Sequence, residues 1–186
     1  NGGKEKRFHN YMDVSVARKY IRQHIELFGN EIYTLIDNNH IKRCNNLDLN
    51  YENLDSFKAS IENCEDCNLS LTRNKFVFGS GDPNADLLLI GEGPGQEEDL
   101  KGEPFVGKSG KLLDKILKAI GYRRDKNVFI ANVVKCRPPE NRNPLPSEIE
   151  KCTPYLINQT NLIKPKLIVA LGKVAGQTLL KKNMLI

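Results

Sequence analysis

The 186-residue sequence contains no tryptophan and no run of eighteen apolar residues. The missing run excludes a conventional membrane-spanning helix, which needs about 20 such residues to cross the hydrocarbon core. The sequence does not open with a basic stretch followed by an apolar one, the pattern of a secretion signal. Methionine is missing from the opening Asn1-Gly2-Gly3, so the natural start is expected to be processed or to lie upstream. Histidine is scarce, with His9, His24 and His40 the only three. What remains is 39% apolar content over a length that suits one domain. That is the composition of a soluble protein able to bury a real core, and a cytoplasmic location is expected.

Charge is plentiful but unevenly placed. Residues 1–100 carry 11 Lys and Arg against 17 Asp and Glu, a net −6, whereas residues 101–186 carry 17 against 6, a net +11. A basic half of this kind fits either a solvated face or a polyanion partner, because clustered cations displace counterions from phosphates. Five cysteines occur, at 44, 64, 67, 136 and 152. In a cytoplasmic chain the Cys64-x-x-Cys67 pair reads as a metal or redox site before it reads as a disulfide. Cys136 and Cys152 supply two further thiolates, and four thiolates fit either Zn²⁺ or an iron–sulfur cluster. Cys44 is left over as a free thiol.

Apolar spacing sets out the elements. Val14, Ala17, Ile21, Ile25 and Phe28 predict a helix over 13–28, stopped by Gly29, and a short second helix covers 31–36. Residues 1–50 form a helical extension on this reading. Leu54, Phe57 and Ile61 predict a helix that delivers Cys64 and Cys67 just past its end. An extended piece at 76–79, a turn at 81–84 and a buried strand at 87–91 follow. Leu112, Leu113, Ile116, Leu117 and Ile120 mark a helix stopped by Gly121, and 127–134 is a second strand. Ser147 and Glu150 form a capping box for the next helix, which Pro154 should bend or restart. A third buried strand at 166–171 and a helix from Gly172 to about Lys181 complete the pattern. Strands alternating with helices predict an α/β three-layer sandwich, 51–186, with a central, mostly parallel sheet flanked by helices. Three strands are few for such a sheet, so a C-terminal strand is expected beyond Ile186.

The first strand empties into Gly91-Glu92-Gly93-Pro94-Gly95, then Glu97, Glu98 and Asp99, then Pro104-Phe105-Val106-Gly107. Such a glycine density means a tight βα turn or a ligand loop at the strand ends, where open α/β sheets bind. The second strand leads into Lys135-Cys136-Arg137-Pro138-Pro139-Glu140-Asn141-Arg142, with two prolines and three basic residues.

These motifs carry a resemblance. Cys64-x-x-Cys67, Gly91-Glu92-Gly93-Pro94-Gly95-x-x-Glu98-Asp99, Pro104-Phe105-Val106-Gly107, Asn132-Val133-Val134-Lys135-Cys136-Arg137-Pro138-Pro139-x-Asn141-Arg142 and Cys152-x-Pro154-Tyr155 occur in that order. From about Asn63 onward the chain resembles the family 4, iron–sulfur uracil-DNA glycosylases. The resemblance implies a DNA-repair enzyme, acting as a monomer on uracil-containing DNA, that hydrolyses the N-glycosidic bond of deoxyuridine and so starts base excision repair. Uracil in a duplex must first be flipped into a pocket. By the resemblance Phe105 stacks on the base and Asn132 pairs with its edge. An amide offers an acceptor and a donor, which suits uracil N3–H and O4, whereas cytosine presents the opposite pattern.

The 91–95 loop, with Gly91 and Gly95 at its ends, is implied to lie along the scissile bond. Glu92 and Glu98 line the pocket as positioning or water-activating groups. Gly93 stands where some related glycosylases carry a water-activating Asp. Arg137 and Arg142, with Lys135 on the same loop, are implied DNA contacts. Cys64, Cys67, Cys136 and Cys152 correspond to ligands of a [4Fe–4S] cluster, with zinc as the alternative, whose role is to fix the basic loop. The family also carries a His-Pro-Ser-type motif whose His stabilises the departing uracil anion, and here no histidine follows His40. The sequence is expected to continue beyond Ile186. The alternative is a non-catalytic iron–sulfur DNA-binding module.

Overall fold

The computed structural model describes residues 51–180. The helices expected at 13–28 and 31–36, the extension over 1–50 and Cys44 lie outside the described residues, as does the end of the last helix. In chain order the elements are α1 (Leu54–Ile61), β1 (Ser80–Gly81), β2 (Leu87–Gly91), α2 (Gln96–Lys101), α3 (Lys108–Ala119), β3 (Val128–Asn132), α4 (Pro146–Ile163), β4 (Leu167–Ala170) and α5 (Lys173–Leu180).

Every residue of β2 and of β3 is buried, which explains why both read as unbroken apolar runs and not as alternating ones. The sheet order is β1-β3-β2-β4. β2 pairs in parallel with β3, from Leu87 opposite Val128 to Gly91 opposite Asn132, and in parallel with β4, from Leu87 opposite Leu167 to Ile90 opposite Ala170. β1 is antiparallel to β3. This two-residue strand has no periodicity to reveal it, and it sits just after the extended piece expected at 76–79.

Successive side chains of a strand point to opposite faces, and the core divides accordingly. Leu88, Ile90, Phe129 and Ala131 pack with Phe57 of α1 and with Tyr155 and Leu156 of α4. Leu87, Leu89, Val128 and Ile130 pack on the other face with Leu113 and Leu117 of α3. The result is the expected helix–sheet–helix sandwich. Among the described residues no helix is long and apolar enough to cross a membrane.

Two local expectations are corrected. α4 begins at Pro146, with Leu145 before it, so Ser147 and Glu150 are not its capping pair. The cap comes instead from Glu148, whose Oε2 accepts the Leu145 N–H at 2.7 Å. Pro154 does not interrupt α4, which runs through it as one 18-residue helix. The carbonyl left without its N–H partner is that of Glu150, an exposed residue whose backbone can turn to water.

Candidate active site

Gly91, Asn132 and Phe105 meet at one point. Gly91 and Asn132 are register partners at the C-terminal ends of β2 and β3. A β-carbon built on Gly91 would stand 2.5 Å from Asn132 Oδ1 and 2.7 Å from Phe105 Cε2 and Cζ. Only glycine lets the amide and the ring close over the strand end. The ladder continues past the strands, with Val133 N–H donating to the Gly91 carbonyl at 2.9 Å and Val134 N–H to that of Glu92 at 3.1 Å. These bonds fix the 91–95 turn against the 132–136 segment.

Asn132 is 2% exposed, and its Oδ1 is the one buried side-chain polar atom without a hydrogen-bond partner among the described residues. Leaving such an acceptor unpaired costs about 1–3 kcal/mol. A ligand N–H placed there recovers that cost. Phe105 is half-buried beside it, so the pair presents an aromatic face next to an amide edge.

The acids after the turn take different roles. Glu92 is half-buried, and burial pushes its carboxyl above the usual range. Glu98, on α2, turns its Oε1 onto the N–H groups of Val106 (2.9 Å) and Gly107 (3.0 Å) and so braces the Phe105 loop. Asp99 is fully buried and accepts from the Asn74 N–H at 2.9 Å, Asn74 Nδ2 at 2.5 Å and the Lys75 N–H at 3.3 Å. At Gly93 a β-carbon would come within 2.8 Å of Val134 Cγ2, so an acid there would have to displace Val134.

Cys136 and Cys152 are buried, and Cys64 and Cys67 are half-buried against the same core cluster. None of the four forms a disulfide. Several donors face them. Arg73 Nη1 donates to Cys136 Sγ at 3.2 Å and to the Cys64 carbonyl at 2.6 Å. Tyr155 Oη lies 3.2 Å from Cys64 Sγ and 2.6 Å from Asp66 Oδ2, and Lys135 N–H points at Cys152 Sγ at 3.4 Å. Burial pushes the Cys152 thiol up to about 12, opposed by the Lys135 charge, and raises Cys136 against the pull of Arg73. Among the described residues no three His, Cys, Asp or Glu side chains are arranged to hold a single metal ion.

The basic loop departs from expectation at two of its three positions. Lys135 cannot reach DNA phosphates, because it is fully buried. Its Nζ donates to the Asn132 carbonyl at 2.8 Å and to Gln159 Oε1 at 2.6 Å, and burial lowers its pKa to about 8. Arg142 forms a two-pronged pair with Glu148 at 2.7 and 2.9 Å, so its fork braces the start of α4. Arg137 is less engaged: Nε donates to Asn141 Oδ1 at 2.8 Å, and no hydrogen bond engages its terminal amino groups among the described residues. Sequence reasoning missed the Lys135–Gln159 contact and the Arg73 donor, since both join residues 24 or more positions apart with no local signal.

The mostly parallel α/β sheet thus brings an amide and an aromatic ring together over a glycine at its strand ends. The family model of the uracil DNA glycosylase superfamily matches residues 78–185, and the chain belongs to that superfamily. It is similar to the type-4 uracil-DNA glycosylase of Archaeoglobus fulgidus, 50% identical over 68% of this chain and 63% of that protein. It is also similar to the type-4 enzyme of Sulfurisphaera tokodaii, 46% identical over 70% of this chain and 60% of that one. A DNA polymerase of Bacillus phage SP01 is 33% identical over 58% of this chain and 12% of its own length. The chain thus spans 60% to 63% of the length of the first two relatives.

Proposed function

We propose that residues 51–186 form a uracil-DNA glycosylase domain that hydrolyses the N-glycosidic bond of deoxyuridine in DNA, leaving an abasic site. One observation carries the reading: the orphaned Asn132 Oδ1, buried and touching the space that Phe105 and Gly91 share. An extruded uracil stacked on Phe105 offers N3–H to that atom and O4 to Asn132 Nδ2. The C1′–N bond breaks as water adds to C1′ and the base leaves with the electron pair. Glu92, half-buried on the turn, is assigned to orienting the water, and Glu98 to holding the Phe105 loop.

We further infer that Cys64, Cys67, Cys136 and Cys152 hold a [4Fe–4S] cluster. The donor set fits: four thiols in one neighbourhood, faced by Arg73 and by the Lys135 N–H, as anionic sulfurs require. Zn²⁺ is the alternative occupant of four thiolates. When bound, the cluster supplies structure, tying the segment after α1 to the Arg137 loop.

The test is release of free uracil from a single-stranded uracil oligonucleotide. Asn132→Ala should cut release about a hundredfold or more, by analogy with removing one preorganised polar partner, while oligonucleotide binding changes only a few-fold. Equal losses would remove Asn132 from its reading role. Binding without release would instead select a DNA-binding module without catalysis.

A further inference from the structure

Phe105 has a φ of +54°, a backbone state uncommon outside glycine and a true outlier for a bulky side chain. Such a residue persists only where its surroundings over-determine it. Three contacts do so here. Glu98 takes the N–H groups of Val106 and Gly107 from one side. Gly110 of α3 lets the Phe105 carbonyl lie against the helix, where any β-carbon would overlap it. Arg124, between α3 and β3, supplies the third: Nη1 donates to the Pro104 carbonyl at 2.7 Å, Nη2 to the Phe105 carbonyl, and Nε to Asp114 Oδ1 at 2.6 Å.

We propose that Arg124 is a positioning residue for the base pocket. Its guanidinium grips two consecutive carbonyls and keeps the Phe105 peptide in the left-handed state that turns the ring over Gly91 and beside Asn132. Each of its three nitrogens already has an acceptor, and its side chain is 22% exposed, so it is placed to hold the loop and not to meet a phosphate. A planar fork is required. Lysine carries one nitrogen and cannot span both carbonyls and Asp114. The role in recognition rests on the glycosylase reading; the restraint on the loop does not.

The experiment compares the full chain with Arg124→Ala, Arg124→Lys, Phe105→Ala and the Phe105→Ala/Arg124→Ala double variant. Arg124→Ala should lower kcat/KM for the single-stranded uracil oligonucleotide roughly ten- to hundredfold, chiefly through KM. Arg124→Lys should recover only part of that. On the Phe105→Ala background the second substitution should cost nothing more, because Arg124 acts through the ring. The slope of binding against salt should not change, whereas loss of a phosphate contact lowers it by about one. Deuterium exchange over residues 103–108 should rise in Arg124→Ala, and in Arg124→Lys if the alanine variant fails to fold. Additive losses, a lowered salt slope, or unchanged exchange would each overturn the proposal. If the unmodified chain releases no uracil, the glycosylase reading fails on its own, and the exchange measurement still decides the role of Arg124.

Discussion

Asn132 is 2% exposed and its Oδ1 has no partner among the described residues, beside Gly91, where a β-carbon would meet both the amide and the Phe105 ring. Gly91→Ala is therefore a sharp probe. The added methyl meets the amide and the ring at 2.5–2.7 Å, and overpacking of this kind costs about 1–3 kcal/mol. The variant should remain folded, with a lowered Tm, and lose uracil release, because the ring and amide must part to admit it. Retained release would mean that the pocket lies elsewhere. Glu92 makes a pH prediction. Burial raises its carboxyl above the ordinary value of 4.5, so the charged form needed to orient water is gained only as pH climbs past that raised value. Rate should fall on the acid side, and Glu92→Gln should both lower the maximum and flatten that limb in a pH–rate profile. The glycine-rich turn after a buried strand was legible from the residues, whereas the roles of Asn132, Phe105 and Glu92 came only from the resemblance to the glycosylase motifs. Arg124 was not legible, since the two acceptors that tie it to the Phe105 loop are backbone carbonyls, which carry no sequence signature.

α4 shows what local patterning misses. The Ser147/Glu150 spacing pointed to a cap, yet the helix starts two residues earlier, on Pro146, because Glu148 can bond both the Leu145 N–H and the Arg142 fork. The Arg142 hydrogen bond, chiefly, holds Glu148 below its ordinary carboxyl value of 4.5. A lowered folded-state pKa means the stabilisation is complete above the unfolded value and disappears as pH falls through the folded one. Tm should therefore decline below about pH 4.5, and Glu148→Gln should make that decline shallower, as read by thermal melts across pH. A decline of unchanged steepness would show that the pair adds nothing. β2 and β3, by contrast, were readable as buried apolar runs, and the helix at Leu54–Ile61 from its three-and-four spacing; β4 was read as buried in the same way, but it lies at the sheet edge with Leu167 and Ala170 exposed. β1 escaped because two residues are too short for any period.

Across the molecule, the +11 balance of residues 101–186 reads as a field for a polyanion, but the contacts within it are unequal. Arg137→Ala should lower the slope of log affinity against log salt by about one. Arg142→Ala should leave the slope and instead loosen the start of α4, seen as faster deuterium exchange there. Reversed results would exchange the two roles. Cys152→Ser should lose bound iron and sulfide by chemical analysis and lower Tm; full retention of both would remove Cys152 from the ligand set. Lys135 links these regions. Its peptide N–H rests on Cys152 Sγ while its ammonium grips the carbonyl of Asn132. A single residue thus acts as a lever between the sulfur-rich end and the base slot. A displacement of Cys152 Sγ is thereby passed along the Lys135 side chain to the main-chain carbonyl of Asn132, where β3 ends.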